Sequence, residues 1–97
     1  MTVQKLHAVL KKAGHKKAHF NRSSMVRGWG NWTEGYDIRK GDIYFKIRHV
    51  FDHWKRFKSD EARNIYILTK IHKYAKDLVL AGVHCYVKDE SIICQIN

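Results

Sequence analysis

The sequence predicts an α+β fold: a mostly antiparallel sheet with two helices on one face, in the order α-β-β-β-α-β-β. Three observations carry that expectation. Apolar residues recur at three- and four-residue spacing near the amino end and again after position 59. They alternate with polar residues in the middle of the chain and at its carboxyl end. Proline is absent and the glycines are scattered, so no linker divides the 97 residues, and 1–97 reads as one domain.

Residues 2 to 13 read as a helix: Thr2 caps it, Val3, Leu6, Val9, Leu10 and Ala13 share a face, and Gly14 stops it. A polar, basic connection follows from His15 to Ser24. Met25 to Trp32 read as a short strand or extended segment interrupted by Gly28 and Gly30. In the next hairpin, Tyr36 and Ile38 alternate with Asp37 and Arg39, and Ile43, Phe45 and Ile47 alternate with Tyr44, Lys46 and Arg48. A two-residue Lys40-Gly41 turn would set Ile38 opposite Ile43 and Tyr36 opposite Phe45.

Residues 49 to 58 fit either a helical turn, from the spacing of Phe51, Trp54 and Phe57, or a strand extension and loop. Ser59 then reads as an N-cap, with Asp60 and Glu61 favourable at the positive end of a helix dipole. The long helix that follows shows a stripe of Ile65, Leu68, Ile71, Ala75, Leu78 and Val79, ended by Gly82. A closing hairpin alternates Val83, Cys85 and Val87 with His84, Tyr86 and Lys88, then Ile92, Cys94 and Ile96 with Ile93 and Gln95. Its turn at Asp89-Glu90 places Cys85 across from Cys94 and Val87 across from Ile92.

The charge is distributed unevenly. The net charge is +10, yet the first 33 residues contain no Asp or Glu while carrying Lys5, Lys11, Lys12, Lys16, Lys17, Arg22 and Arg27. The remaining residues hold twelve Lys/Arg against nine carboxylates. A local excess of this kind makes a positive field suited to a polyanion, most commonly nucleic acid. Lys11, Lys12, Lys16, Lys17 and Arg22 are predominantly lysine and suit backbone phosphates better than base edges. Around Arg27, two glycines interleave with Trp29 and Trp32, a composition that lets a strand approach closely and stack; the same rings could equally close a small core. Tyr44, Lys46 and Arg48, with Arg39, share one hairpin face, as aromatic and basic residues do on single-strand binders and as any half-solvated strand does.

Other chemistries find less support. His15/His19 and His49/His53 have i,i+4 spacing, but neither pair belongs to an HExxH, and surface histidines rather than a metal site are expected. No cofactor motif, nucleophile elbow, P-loop or paired carboxylate occurs, so no cofactor and no enzymatic activity are expected. Cys85 and Cys94 read as reduced core thiols. The apolar runs are too short to span a membrane and the amino end lacks a secretion layout, so a cytoplasmic location is expected.

Three resemblances accompany these readings. The first helix and basic stretch are similar to the opening of HicA-type toxins, which implies a metal-independent ribonuclease; the Gly-Ser-His segment carrying their catalytic histidine is absent here. The Arg27-Gly28-Trp29 and Thr33-Glu34-Gly35-Tyr36 segments and the closing hairpin resemble small uncharacterised phage-type α+β proteins, which implies no mechanism. The α-β-β-β-α order also occurs in double-stranded-RNA-binding domains, but Ser59-Asp60-Glu61 replaces their lysine-rich helix start. The primary expectation is a non-enzymatic, largely sequence-nonspecific nucleic-acid-binding protein. An alternative is a small phage-type inhibitor of a host nucleic-acid enzyme, such as a CRISPR nuclease, and a third is the ribonuclease.

Overall fold

The structure is a computed structural model that describes residues 2–22, 30–51 and 55–96. Helix α1, Val3–Lys12, begins where the Thr2 hydroxyl accepts the Lys5 N–H at 3.2 Å. It ends at Gly14, whose φ of +93° is the left-handed conformation that only glycine adopts without strain. Helix α2, Asp60–Leu80, begins in the same way, with the Ser59 hydroxyl accepting the Ala62 N–H at 3.1 Å.

The strands are β1 His19–Arg22, β2 Gly30–Thr33, β3 Gly35–Lys40, β4 Tyr44–Val50, β5 Cys85–Lys88 and β6 Ser91–Gln95. They form an antiparallel pair, β1-β2, and a four-stranded antiparallel sheet in the order β3-β4-β6-β5. The α+β class is therefore as expected, with one refinement. The basic connection contains β1, which pairs with β2 and makes a separate two-stranded ribbon.

The core lies between one face of the larger sheet and the two helices. Leu6 and Leu10 from α1 and Ile67, Ile71, Tyr74 and Leu78 from α2 pack on Tyr36, Phe45, Ile47, Ile92 and Cys94. Each such side chain contributes roughly 1.5–3 kcal/mol by leaving water.

Three expectations need correction. The β3–β4 register pairs Ile38 with Ile47 and Tyr36 with His49, four residues away from the predicted pairing. The reason is a longer turn: the Gly41 N–H donates to the Tyr44 carbonyl at 2.8 Å, leaving Ile43 at the tip, 74% exposed. Because the offset is even, the inward face is unchanged. The buried stripe of α2 is Ile67, Ile71, Tyr74 and Leu78, so of the predicted stripe Ile71 and Leu78 are buried and Ala75 half-buried. Ile65, at 59% exposure, Leu68 and Val79 face outward. A tyrosine at position 74 completes the inward spacing because its hydroxyl finds a partner there. Finally, Ala13 is exposed in the turn after α1.

In the ambiguous 49–58 stretch, β4 runs on to Val50 and residues 55–57 are irregular; His53 and Trp54 lie outside the described residues. The closing hairpin has the predicted register, Cys85 with Cys94 and Val87 with Ile92. Both cysteines are free thiols. Among the described residues no helix is long and apolar enough to cross a membrane.

Candidate nucleic-acid interface

The helices cover one face of the four-stranded sheet and leave the other open. Strand pairing sets its rows. Arg39, Lys46, Ile93 and Tyr86 are successive cross-strand partners, and Asp37, Arg48, Ser91 and Lys88 form the next row. Tyr44 pairs with Gln95 and is the diagonal neighbour of Ile93.

Tyr86 is 52% exposed and Tyr44 37%, and neither ring packs against another aromatic ring among the described residues. Tyr44, Lys46, Tyr86, Lys88 and Ile93 line a shallow groove of about 340 Å³. Asp37 accepts from Arg39 Nε at 3.3 Å and from Arg48 Nε at 3.4 Å, which orients both guanidiniums and leaves a net positive charge. Lys46 and Lys88 make no ion pair among the described residues.

A second cationic surface lies on the helical side. After Gly14 the chain runs along the edge of β3, where the Ala18 N–H donates to the Tyr36 carbonyl at 2.7 Å and the Tyr36 N–H to the Lys16 carbonyl at 2.9 Å. That path brings His15 against α2. His15 Nε2 lies 2.5 Å from Asp77 Oδ2, and the ring stands at 88° to that of Tyr74 with centroids 4.7 Å apart. Between the 13–16 turn, Glu34 and α2 is a cleft of about 510 Å³, also lined by Lys16, His49, Lys70 and Lys73.

The wall of this cleft is a connected polar network. The Tyr74 hydroxyl donates to His49 Nδ1 at 2.6 Å, His49 Nε2 lies 3.0 Å from Glu34 Oε2, and the Tyr66 hydroxyl donates to the same carboxylate. Lys55 Nζ is 3.4 Å from Glu34 Oε1. Burial of His49, whose side chain is 2% exposed, pushes its pKa below the ordinary value against the pull of Glu34. Burial alone would raise the Glu34 carboxyl, but hydrogen bonds from Tyr66 and His49 and the Lys55 ammonium outweigh it and hold the pKa down. The pair therefore stands at neutral pH as a neutral imidazole and a carboxylate.

The predicted site residues divide accordingly. Tyr44, Lys46 and Arg48 come together on the open face, while Lys16 lines the cleft. Lys11 and Lys12 occupy the last turn of α1, and Lys17 lies on the β3 edge. Burial, then the ammoniums of Lys17 and Lys11, lower the pKa of His7, which places those two charges in one neighbourhood. None of Lys11, Lys12, Lys16 and Lys17 makes an ion pair among the described residues. Trp32 packs on Phe20 across the β1–β2 ribbon at 5.3 Å. Arg22 pairs with Gly30 through the backbone of that ribbon. Arg27 and Trp29 lie outside the described residues.

The i,i+4 histidine pairing presupposed a helix, but His15 lies in a turn and His19 in β1. Among the described residues no three metal-ligating side chains come together. Tyr86 and Lys88 were overlooked as site residues. Their outward alternation was readable, but only the β4–β6 pairing puts them beside Tyr44 and Lys46. Asp77 was overlooked because 62 positions separate it from His15. Comparisons of the chain with protein-family models, with curated proteins and with solved structures find no match.

Proposed function

We propose that the protein binds single-stranded nucleic acid on the open face of its sheet, with little sequence preference. The observation that carries this reading is the pair of exposed rings, Tyr44 and Tyr86, flanking Ile93 among Lys46, Lys88, Arg39 and Arg48. Exposed tyrosines offer flat faces on which unpaired bases stack, each worth about 1–3 kcal/mol and indifferent to base identity. The surrounding cations follow the phosphates, and the Asp37-held guanidiniums are already oriented. A duplex hides its base faces and would leave the tyrosines unused.

Fluorescence anisotropy with labelled oligonucleotides tests this. Single strands should bind more tightly than duplexes of the same length, and Tyr86→Ala should weaken binding by about 5- to 150-fold, the loss of one stacked base. An anisotropy unchanged at tens of micromolar protein, or equal affinity for Tyr86→Ala, would refute the reading.

A further inference from the structure

The cleft on the helical side shares no lining residue with the groove on the strand-binding face. We propose that it is a catalytic centre that cleaves RNA, with His15 as general base. Its Nε2 is held by Asp77 at 2.5 Å, so in the neutral ring the proton sits on Nε2 and the lone pair on Nδ1. Among the described residues Nδ1 has no hydrogen-bond partner, and 18% of the side chain reaches solvent. The ring also packs at 88° to that of Tyr74, with centroids 4.7 Å apart, a contact that supports its orientation. Asp77 is a positioning residue, fixing the tautomer and direction of the His15 ring.

The same cleft gathers Lys16, Lys70 and Lys73, none of which makes an ion pair among the described residues. The carboxylate facing them, Glu34, is already engaged by His49, Tyr66 and Lys55, so it opposes an incoming anion only weakly. At about 510 Å³ the space accommodates a group the size of a nucleotide. A base and three ammoniums in one cleft suit a phosphodiester.

Among the described residues the lining holds no serine, threonine or cysteine, and its one hydroxyl, that of Tyr74, is already committed to His49 Nδ1 at 2.6 Å, so no free hydroxyl or thiol nucleophile stands there. The substrate must bring its own, and the ribose 2′-hydroxyl beside a phosphodiester is that nucleophile. In the proposed step His15 Nδ1 takes the 2′-hydroxyl proton as O2′ bonds to phosphorus. The bond from phosphorus to O5′ breaks, and the departing oxygen takes a proton from one of the lysine ammoniums. The products are a 2′,3′-cyclic phosphate and a 5′-hydroxyl. No water, electron or further reactant is consumed, and solvent exchange restores both protonation states.

The test incubates the full chain with end-labelled single-stranded RNA in EDTA. Expected products end in a cyclic phosphate, and a deoxyribose at the cut position should abolish cleavage without abolishing binding. His15→Ala should lower kcat by about 100-fold or more, the usual worth of a general base. Asp77→Asn should lower kcat about tenfold or more while leaving KM nearly unchanged, a split that loss of packing alone would not produce. Lys73 is exposed on α2, so Lys73→Ala should fold normally and still slow cleavage. RNA that stays intact, products bearing a 5′-phosphate, or wild-type rates in both His15→Ala and Lys73→Ala would overturn the proposal. Intact RNA together with Tyr86-dependent binding would sink the catalytic centre and leave the strand-binding face standing.

Discussion

Gly35 lies so close to the backbone of Lys16 that a Cβ placed on it would stand 2.3 Å from the Lys16 carbonyl oxygen. The obstruction is main chain, with the Ala18 nitrogen at 2.6 Å, so no side-chain rotation relieves it. Gly35→Ala must push the 16–18 segment off the β3 edge and with it the wall of the cleft. We expect a loss of about 3 kcal/mol, the upper part of the range for overpacking, measured by urea unfolding. Gly14→Ala meets no atom within 4 Å and is penalised only by its φ of +93°, so it should cost about 1–2 kcal/mol.

Binding of a single strand should weaken linearly with salt on a log–log plot. Four cations on the open face, Arg39, Lys46, Arg48 and Lys88, set an upper slope of about −2.8, from about −0.7 per phosphate neutralised. Lys46→Ala should reduce the magnitude by about 0.7. Titrations at several salt concentrations measure both.

Acid should unfold the protein in two stages. The folded pKa of His49 lies below its ordinary 6.5, so from pH 6.5 downward the unfolded chain takes up a proton that the native state refuses. Stability is therefore full above 6.5 and falls as pH drops through the folded value. Glu34, held below its ordinary 4.5, adds a second loss in the same direction beneath that pH. His7, also held below 6.5, adds to the first stage, so His49→Leu should shrink that stage rather than remove it, and should lower stability at neutral pH by about 1–3 kcal/mol because Tyr74 and Glu34 lose a partner. Thermal unfolding at stepped pH follows both effects.

The cysteines should resist modification. Burial, then the neighbouring Cys85, pushes the Cys94 thiol up to about 12, and burial raises Cys85 as well. Little thiolate forms at pH 8, so alkylation of Cys94 should proceed at the rate of unfolding, read by mass spectrometry over time.

The two faces of α2 should differ sharply. Ile67→Ala or Ile71→Ala removes a buried side chain and should cost about 2–5 kcal/mol, whereas Ile65→Ala should stay within about 0.5 kcal/mol. Denaturant midpoints decide this.

That contrast shows how far local pattern reaches. Thr2, Gly14 and Ser59 bound their helices through hydrogen bonds or dihedrals spanning a few residues, so the helix limits were readable from the chain. The Cys85–Cys94 register followed from a short turn for the same reason. The α2 stripe was misread because Ile65, Leu68 and Val79 are apolar and helically spaced, and only the sheet beneath selects Ile67 and Tyr74 instead. The β3–β4 register slipped because loop length, not composition, sets pairing.

The local excess of lysine, the outward Tyr44, Lys46 and Arg48, and the α+β class are properties of the sequence alone, since each depends on neighbours within a few positions. Tertiary structure alone brought Tyr86 beside Tyr44 by pairing β4 with β6, and closed 62 positions between His15 and Asp77. Alternation tells a strand which face is wet. It holds no information about which distant strand or helix will share that face, because that choice is made by packing of the whole core.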